Sequence, residues 1–506
     1  MIPRRATIQR QISRSRILRV NDDPLTVGKR DIFGLLALIL FYAIGYEIYG
    51  AQDYGTFNQL GPLALIVIMI SGAARMVRAN PMALWLALFW FRISTALYFG
   101  LGSLVPGFAN VHTRLYLDAF FPLDQELLFK LNLIVSLCVL TVLATSAFYA
   151  RYSRFKAGNQ QSAIDDQKLW VAGVVFAISG FSVKYLVLIP FSLGAYGNIT
   201  LPGLLLSLGL LSHVGLYLLT LYVVRRRPAM FPLIIVLFVI ELGAGTVQLN
   251  KTEPLLTTLM FTLALLTNSP KPTRAVLSIA LIVTVFSTLV PLVGYGRDEM
   301  MQRYGTLSSG TLGERMEVLW DYTSQKSAIA SQQDVNGVLV RISYANAAAF
   351  AISDYDNGEP GPSLELALAA IVPRVLWPEK PNMTNIGSVF NERATGYATS
   401  SSSPGLFAEA YWSMGWLGVP VLMVPFGLVL TAISRYAQWI MATGNWWYFP
   451  LAMLALRMGL RVDGWYVPDV IGPTATLVVL TCLARFAGHW LGVLAVSRRQ
   501  SRLPFE

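Results

Sequence analysis

The sequence predicts an all-α, polytopic integral membrane protein with about twelve transmembrane helices and one large outer loop. Three observations carry this expectation. Hydrophobic residues make up 55% of the 506 residues and charged residues only 13%, with mean hydropathy +0.54. Soluble domains carry about a quarter charged residues. Apolar runs near the ~20-residue length that crosses a hydrocarbon core recur along the chain. Lys and Arg gather on alternate connecting loops, the asymmetry expected of spanning helices.

The elements follow in order. Residues 1–30 form a basic tail, since Arg4, Arg5, Arg10, Arg14, Arg16, Arg19, Lys29 and Arg30 precede an ordinary span rather than a cleavable signal. Residues 31–293 form a bundle of about nine spans: Ile32–Tyr49, Leu60–Met76, Met82–Val105, Leu127–Tyr149, Leu169–Phe191, Leu201–Val224, Phe231–Val247, Leu255–Thr267 and Ala275–Val293. Residues 294–414 form the outer loop. Three further spans lie within 415–496, namely Gly415–Ser434, Trp447–Val467 and Ile471–Val496, and 497–506 is a second tail.

Orientation comes from the loops. Arg75 and Arg78, Arg151 to Lys156, Arg225 to Arg227, Lys271 and Arg274, Arg435, and Arg498 to Arg502 all fall on the side of the N-terminus. The loops Gly50–Gln59 and Ser192–Thr200 hold no Lys or Arg. Both termini are therefore expected in the cytoplasm, with the long loop outside. This pattern accounts for the net charge of +11 better than nucleic-acid binding does, since the charge lies on loops and tails rather than on one amphipathic face. The two cysteines lie in apolar runs and the three histidines have no paired-ligand spacing, so neither a disulfide scaffold nor a metal cage is expected.

The outer loop draws the functional reading, because structureless loops of such length are functional or disordered. It holds two helix-like pieces, Thr311–Tyr322 and Val335–Ile352, an acidic turn at Asp354–Pro362, a short apolar stretch Leu364–Leu376 read as a surface or re-entrant helix, and the run PRVLWPEKP at Pro373–Pro381. A second run, PGLFAEAYWSMGWLG at Pro404–Gly418, leads into the next span.

Pro373, Arg374, Trp377, Pro378, Lys380 and Pro381, followed by Pro404, Gly405, Glu409, Tyr411, Gly415 and Gly418, resemble the signature of the Wzy-type oligosaccharide repeat-unit polymerases. The resemblance is strongest over residues 294–434. It implies a metal-independent, cofactor-free glycosyltransferase of GT-C type in the bacterial inner membrane, making O-antigen or exopolysaccharide from undecaprenyl-diphosphate-linked glycans on the outer leaflet. Membrane lipids, and a chain-length regulator and flippase of the same pathway, are the implied partners.

The residues can be read against that chemistry. A lipid diphosphate is a dianionic leaving group, and Arg offers it a planar, permanently charged fork. Intramembrane cations are costly and functional by default. Arg457 and Arg461 are four apart and share a helical face, making a diphosphate clamp that Arg92 and Lys184 extend, with Glu241 as counter-ion; Arg374 and Lys380 of the loop are expected catalytic residues, Arg374 helping to hold the departing diphosphate. Alternatively, Arg461 and Lys184 snorkel or pair with Asp463 and Glu241. Glu409, at the outer entrance of a span, is the expected general base, or else an ion-pair partner of Arg374 or Lys380. Asp354, Glu314 and Glu392 are weaker substitutes. Trp377 and Tyr411 offer flat faces to a sugar, whereas Trp412 and Trp416 fit an interfacial belt. Two rival classes remain: an O-antigen ligase, with the same donor and another acceptor, and a flippase or other transporter, which would favour internal repeats and discontinuous helices.

Overall fold

The computed structural model describes residues 23–25, 27–49, 54–153, 165–196, 205, 208–250, 252–269, 271–304, 310–324, 336–372, 376–377, 379–381, 385–397 and 402–490. Most of the two basic tails lies outside them. Among the described residues 86% are helical and none is in a strand. Seven helices there are long and apolar enough to cross a membrane: Tyr54–Ala79, Ala87–Phe108, Gln125–Tyr152, Asp166–Ser192, Pro228–Val247, Pro272–Arg303 and Gly405–Thr443. They leave Val67, Ile178, Leu233 and Leu277 uncovered, an arrangement unfavourable in water and natural in lipid. The chain is a helical membrane protein.

Several boundaries differ from expectation for local reasons. The Leu255–Thr267 segment forms the Thr252–Asn268 helix, short of a full span; of the span expected over Leu201–Val224, Leu211–Arg226 is helical, and residues 201–204, 206 and 207 lie outside the described residues. The helix expected to end at Val293 continues to Tyr304, its last turns held by an Arg303–Glu299 pair one turn apart. The piece expected over Val335–Ile352 is two helices, Gly337–Ile342 and Ala345–Asp356. The span expected over Trp447–Val467 stops at Leu460.

The chain divides into two compact units. One contains Gln160–Val338 and Met441–Pro450. Here the Asp166–Val183 helix starts on Asp165, whose carboxylate accepts the Gln167 and Lys168 N–H groups, and then crosses Leu211–Arg226 closely. A Cβ on Gly180 would lie 2.0 Å from Ser212 N, and one on Gly215 2.4 Å from Ala177 Cα, so small residues permit the approach. Leu216, Val223, Ile234, Phe238 and Phe261 fill the core of this bundle. A second cluster, Leu249, Val293, Met300 and Val318, packs the Leu312–Ser324 helix onto Pro272–Tyr304. That helix opens with a reciprocal capping box, Thr311 N to Glu314 Oε2 at 2.6 Å and Glu314 N to Thr311 Oγ1 at 3.4 Å.

The other unit holds Val20–Asn159, Leu339–Ile440 and Leu451–Glu506. Lys29–Tyr49, Tyr54–Ala79 and Gln125–Tyr152 meet at Tyr42, Phe57 and Phe129, whose rings contact edge to face. The Ala87–Thr95 helix passes through a π-helical turn, Ala96–Leu101, into Gly102–Phe108. Gly405–Met414 and Gly418–Thr443 are separated at Gly415, whose φ of +60 and ψ of −141 suit glycine alone. Phe449–Leu460 is about 18 Å long. After an irregular stretch the chain resumes as a π-helical turn, Val467–Ile471, and then Gly472–Trp490.

Candidate functional site

The irregular stretch Arg461–Tyr466 is the centre of the candidate site. Unwound backbone near apolar helices must find partners inside the protein, and here it does. Leu406 N donates to Val462 O at 2.9 Å, Ser403 Oγ to Gly464 O at 3.0 Å, and Trp465 N to Asp469 Oδ2 at 3.0 Å. Tyr466 N donates to Glu409 Oε2. The start of the Gly405–Met414 helix thus clasps the break.

Glu409 is fully buried. Its second oxygen, Oε1, makes no hydrogen bond of regular geometry, although the Ser363 hydroxyl lies close enough to interact with the carboxylate, and no cation pairs with it among the described residues. A buried carboxylate left in this state is costly for folding. Carboxylates in such surroundings cluster at functional sites.

Arg461, at the start of the same break, faces two acids. Its Nη2 lies 3.2 Å from Asp469 Oδ2, and its Nε 3.6 Å from Asp463 Oδ1. The second separation is too long for a hydrogen bond, so Arg461 Nε and Asp463 Oδ1 both remain unsatisfied. Asp463 Oδ2 accepts the Tyr344 hydroxyl at 3.1 Å. Burial, and secondarily the charge of Asp463, push the Tyr344 phenol well above its ordinary range, so it stays a proton donor. Tyr98 packs edge-on against Tyr344 at 5.4 Å. The side chain of Arg461 is 30% exposed and those of Asp463 and Asp469 are 17% and 14% exposed. The cluster is therefore partly exposed, whereas Glu409 is fully buried.

Next to the cluster, Phe390, Trp412 and Trp465 form an aromatic group with ring centroids 5.2 to 6.0 Å apart. Trp412 Nε1 donates to Asp354 Oδ2 at 2.8 Å, and Arg393 pairs with the same oxygen at 3.1 Å.

The predicted residues are distributed as follows. Glu409 and Arg461 meet at the break. Arg457 lies half-buried in the last turn of Phe449–Leu460, and Arg461 N donates to its carbonyl. Arg92 is buried against Asp31 at 2.8 Å, and Asp31 also holds Arg75. Lys184 lies in the first unit, 2.8 Å from both Glu241 and Glu253, which is the pairing alternative the sequence left open. Tyr411 donates to Asp356 at 2.9 Å with Lys130 over its ring. Lys380 Nζ donates to the carbonyls of Ala369 and Val372 at 2.7 and 2.9 Å, capping the short Ala367–Ile371 helix. Trp377 is exposed. Arg374 lies outside the described residues, as do Pro373 and Pro378 of the same run.

Asp469, Tyr344 and Tyr98 are members of the cluster that sequence reasoning missed, and Asp463 entered only as a partner for Arg461. The signal was present in Arg461-Val-Asp-Gly-Trp-Tyr-Val-Pro-Asp469, where two acids, a Gly and a Pro interrupt an apolar run.

The fold and the charged break define a helical membrane protein with a buried polar centre. Within that class, residues 186–444, just over half of the chain, match the family described as Domain of unknown function (DUF8712), and the chain belongs to that family. The match includes Glu409 and stops short of Arg457 and Arg461. No curated protein and no solved structure matches the chain.

Proposed function

We propose that the protein is a polysaccharide polymerase, joining undecaprenyl-diphosphate-linked oligosaccharide repeat units into O-antigen or exopolysaccharide on the outer face of the bacterial inner membrane. In this reading it is a metal-independent glycosyltransferase of GT-C-like architecture with about twelve spans and both termini cytoplasmic. It works beside a flippase and a chain-length regulator. The resemblance of the Pro373–Pro381 and Pro404–Gly418 runs motivates the proposal. The observation that carries its chemistry is Glu409, a fully buried carboxylate with one oxygen in no regular hydrogen bond.

The reaction is a displacement. The hydroxyl oxygen of the incoming repeat unit bonds to the anomeric carbon, the bond from that carbon to the diphosphate oxygen breaks, and undecaprenyl diphosphate leaves with the electron pair. Glu409 takes the hydroxyl proton. Arg461 and Arg457, with Arg374, meet the developing phosphate charge. Because Asp463 and Asp469 already engage Arg461, the diphosphate must compete with them for its fork. This makes the acids a gate on donor binding.

Deletion of the gene, followed by complementation with Glu409→Gln, tests the proposal. Single repeat units on the outer leaflet with no polymer, in both the deletion and the Gln strain, are expected. Full-length polymer left unattached would instead favour an O-antigen ligase. The helix break at Arg461–Tyr466 gives some weight to a transporter, for which the deletion would hold repeat units on the inner leaflet.

A further inference from the structure

The Leu312–Ser324 helix has a feature that the proposed activity does not use. Leu312, Met316 and Trp320 fall on successive turns of one face and are 48%, 57% and 73% exposed. Its acids Glu314 and Asp321 lie on the far side, with the exposed Glu317 on the flank between them and Trp320. On the other flank, Val318 and Leu319 pack against Leu249, Val293 and Met300, and the ring of Tyr322 lies 5.2 Å from that of Tyr295.

Arg315 fixes the level at which this helix sits. It is 2% exposed, and its guanidinium donates to Gly310 O at 3.3 Å, Val247 O at 3.5 Å and Ser192 O at 2.7 Å. Ser192 and Val247 are the last residues of two candidate membrane spans, Asp166–Ser192 and Pro228–Val247. The guanidinium therefore meets the negative ends of both helix dipoles, and the Leu312–Ser324 helix is tied to the depth where those spans leave the hydrocarbon.

We infer that the Leu312–Ser324 helix is an interfacial anchor whose Leu312, Met316 and Trp320 side chains insert into the lipid headgroup and acyl boundary. A helix with one apolar face, one charged face and an exposed Trp at the end of a spanning segment is built for that plane. Its acids lie off the apolar stripe, and Met301 on the Pro272–Tyr304 helix, onto which it packs, is also exposed. A partner protein docking on the same stripe is the competing occupant.

Site-directed spin labelling decides between them. In a Cys482→Ser background, which removes the exposed native thiol, Leu312→Cys, Met316→Cys, Trp320→Cys and, as a water-facing control, Glu317→Cys are labelled. The full-length protein is reconstituted into phosphatidylethanolamine and phosphatidylglycerol vesicles. The inference expects labels at 312, 316 and 320 to collide preferentially with oxygen, and the label at 317 with a water-soluble nickel chelate. Preference for the chelate at all four sites would overturn it. Protection of the three apolar sites from both reagents would overturn it in favour of a protein partner.

Discussion

The Glu409 carboxylate accepts the Tyr466 backbone N–H with one oxygen and makes no regular hydrogen bond with the other. The same side chain thus anchors the helix break with one oxygen and leaves the other uncommitted to it. The anchoring role and the proposed role as base separate by substitution. Glu409→Gln keeps an oxygen for the Tyr466 N–H and loses the charge, so the proposed reading expects a folded, inserted protein that makes no polymer. Glu409→Ala also strips the acceptor and costs about 1–3 kcal/mol of stability. Glycan size profiles together with detergent melting curves check both, and wild-type polymer from the Gln variant would exclude Glu409 as the base.

Arg461→Lys keeps the charge and loses the planar fork that reaches two acids or a diphosphate. If the fork holds the leaving group, polymerisation falls about ten- to a hundredfold, the equivalent of about 1.5–3 kcal/mol for hydrogen bonds to a charged group. The rate of repeat-unit consumption in membranes measures it. An unchanged rate would leave Arg461 as a structural partner of Asp463 and Asp469.

Lys184 divides structure from chemistry in the first unit. Lys184→Met leaves the buried Glu241 and the partly exposed Glu253 without their cation, and breaking a buried pair in this way costs about 3–5 kcal/mol. Adding Glu241→Gln to Lys184→Met is expected to restore part of that loss. Melting temperatures of the two single variants and the double variant form the cycle. A stable but inactive Lys184→Met protein would instead return Lys184 to the substrate clamp.

Arg315→Ala removes the donor from Ser192, Val247 and Gly310 carbonyls and is expected to cost about 1–3 kcal/mol. Limited proteolysis, followed by identification of the cut sites, is expected to show cleavage around Leu312–Ser324 well before the membrane spans yield. Arg315→Lys, able to reach fewer carbonyls, is expected to fall between wild type and Ala.

The seven long helices were legible because length and hydropathy alone define a span, as Gln125–Tyr152 and Pro272–Arg303 illustrate. The capping carboxylates Asp124 and Asp165 announce helix starts in the same local way. Glu409 and Arg461 were picked out because a charge in an apolar run is conspicuous, yet their relation through Tyr466 depends on residues 57 apart in sequence. No local pattern encodes that. The clamp expected of Arg457 and Arg461 assumed a helix continuing to Val467, whereas the helix ends at Leu460 and Arg461, whose N–H still donates to the Arg457 carbonyl, sits at its C-terminal cap. Gly464 shows why the turn beyond it is tight, since a Cβ there would lie 2.1 Å from Asp469 Oδ2.

The three π-helical turns Ala96–Leu101, Lys184–Leu188 and Val467–Ile471 carry Tyr98, Lys184 and Asp469, each a member of a buried polar group. One residue in a helix corresponds to about 100° of rotation, and a π-helical turn accommodates one residue more than the regular spiral. Each has the geometry that inserting one residue into a regular helix would leave. Relatives that keep the polar groups are expected to keep the extra residue, and relatives that have lost them should align with a one-residue gap at each of the three places.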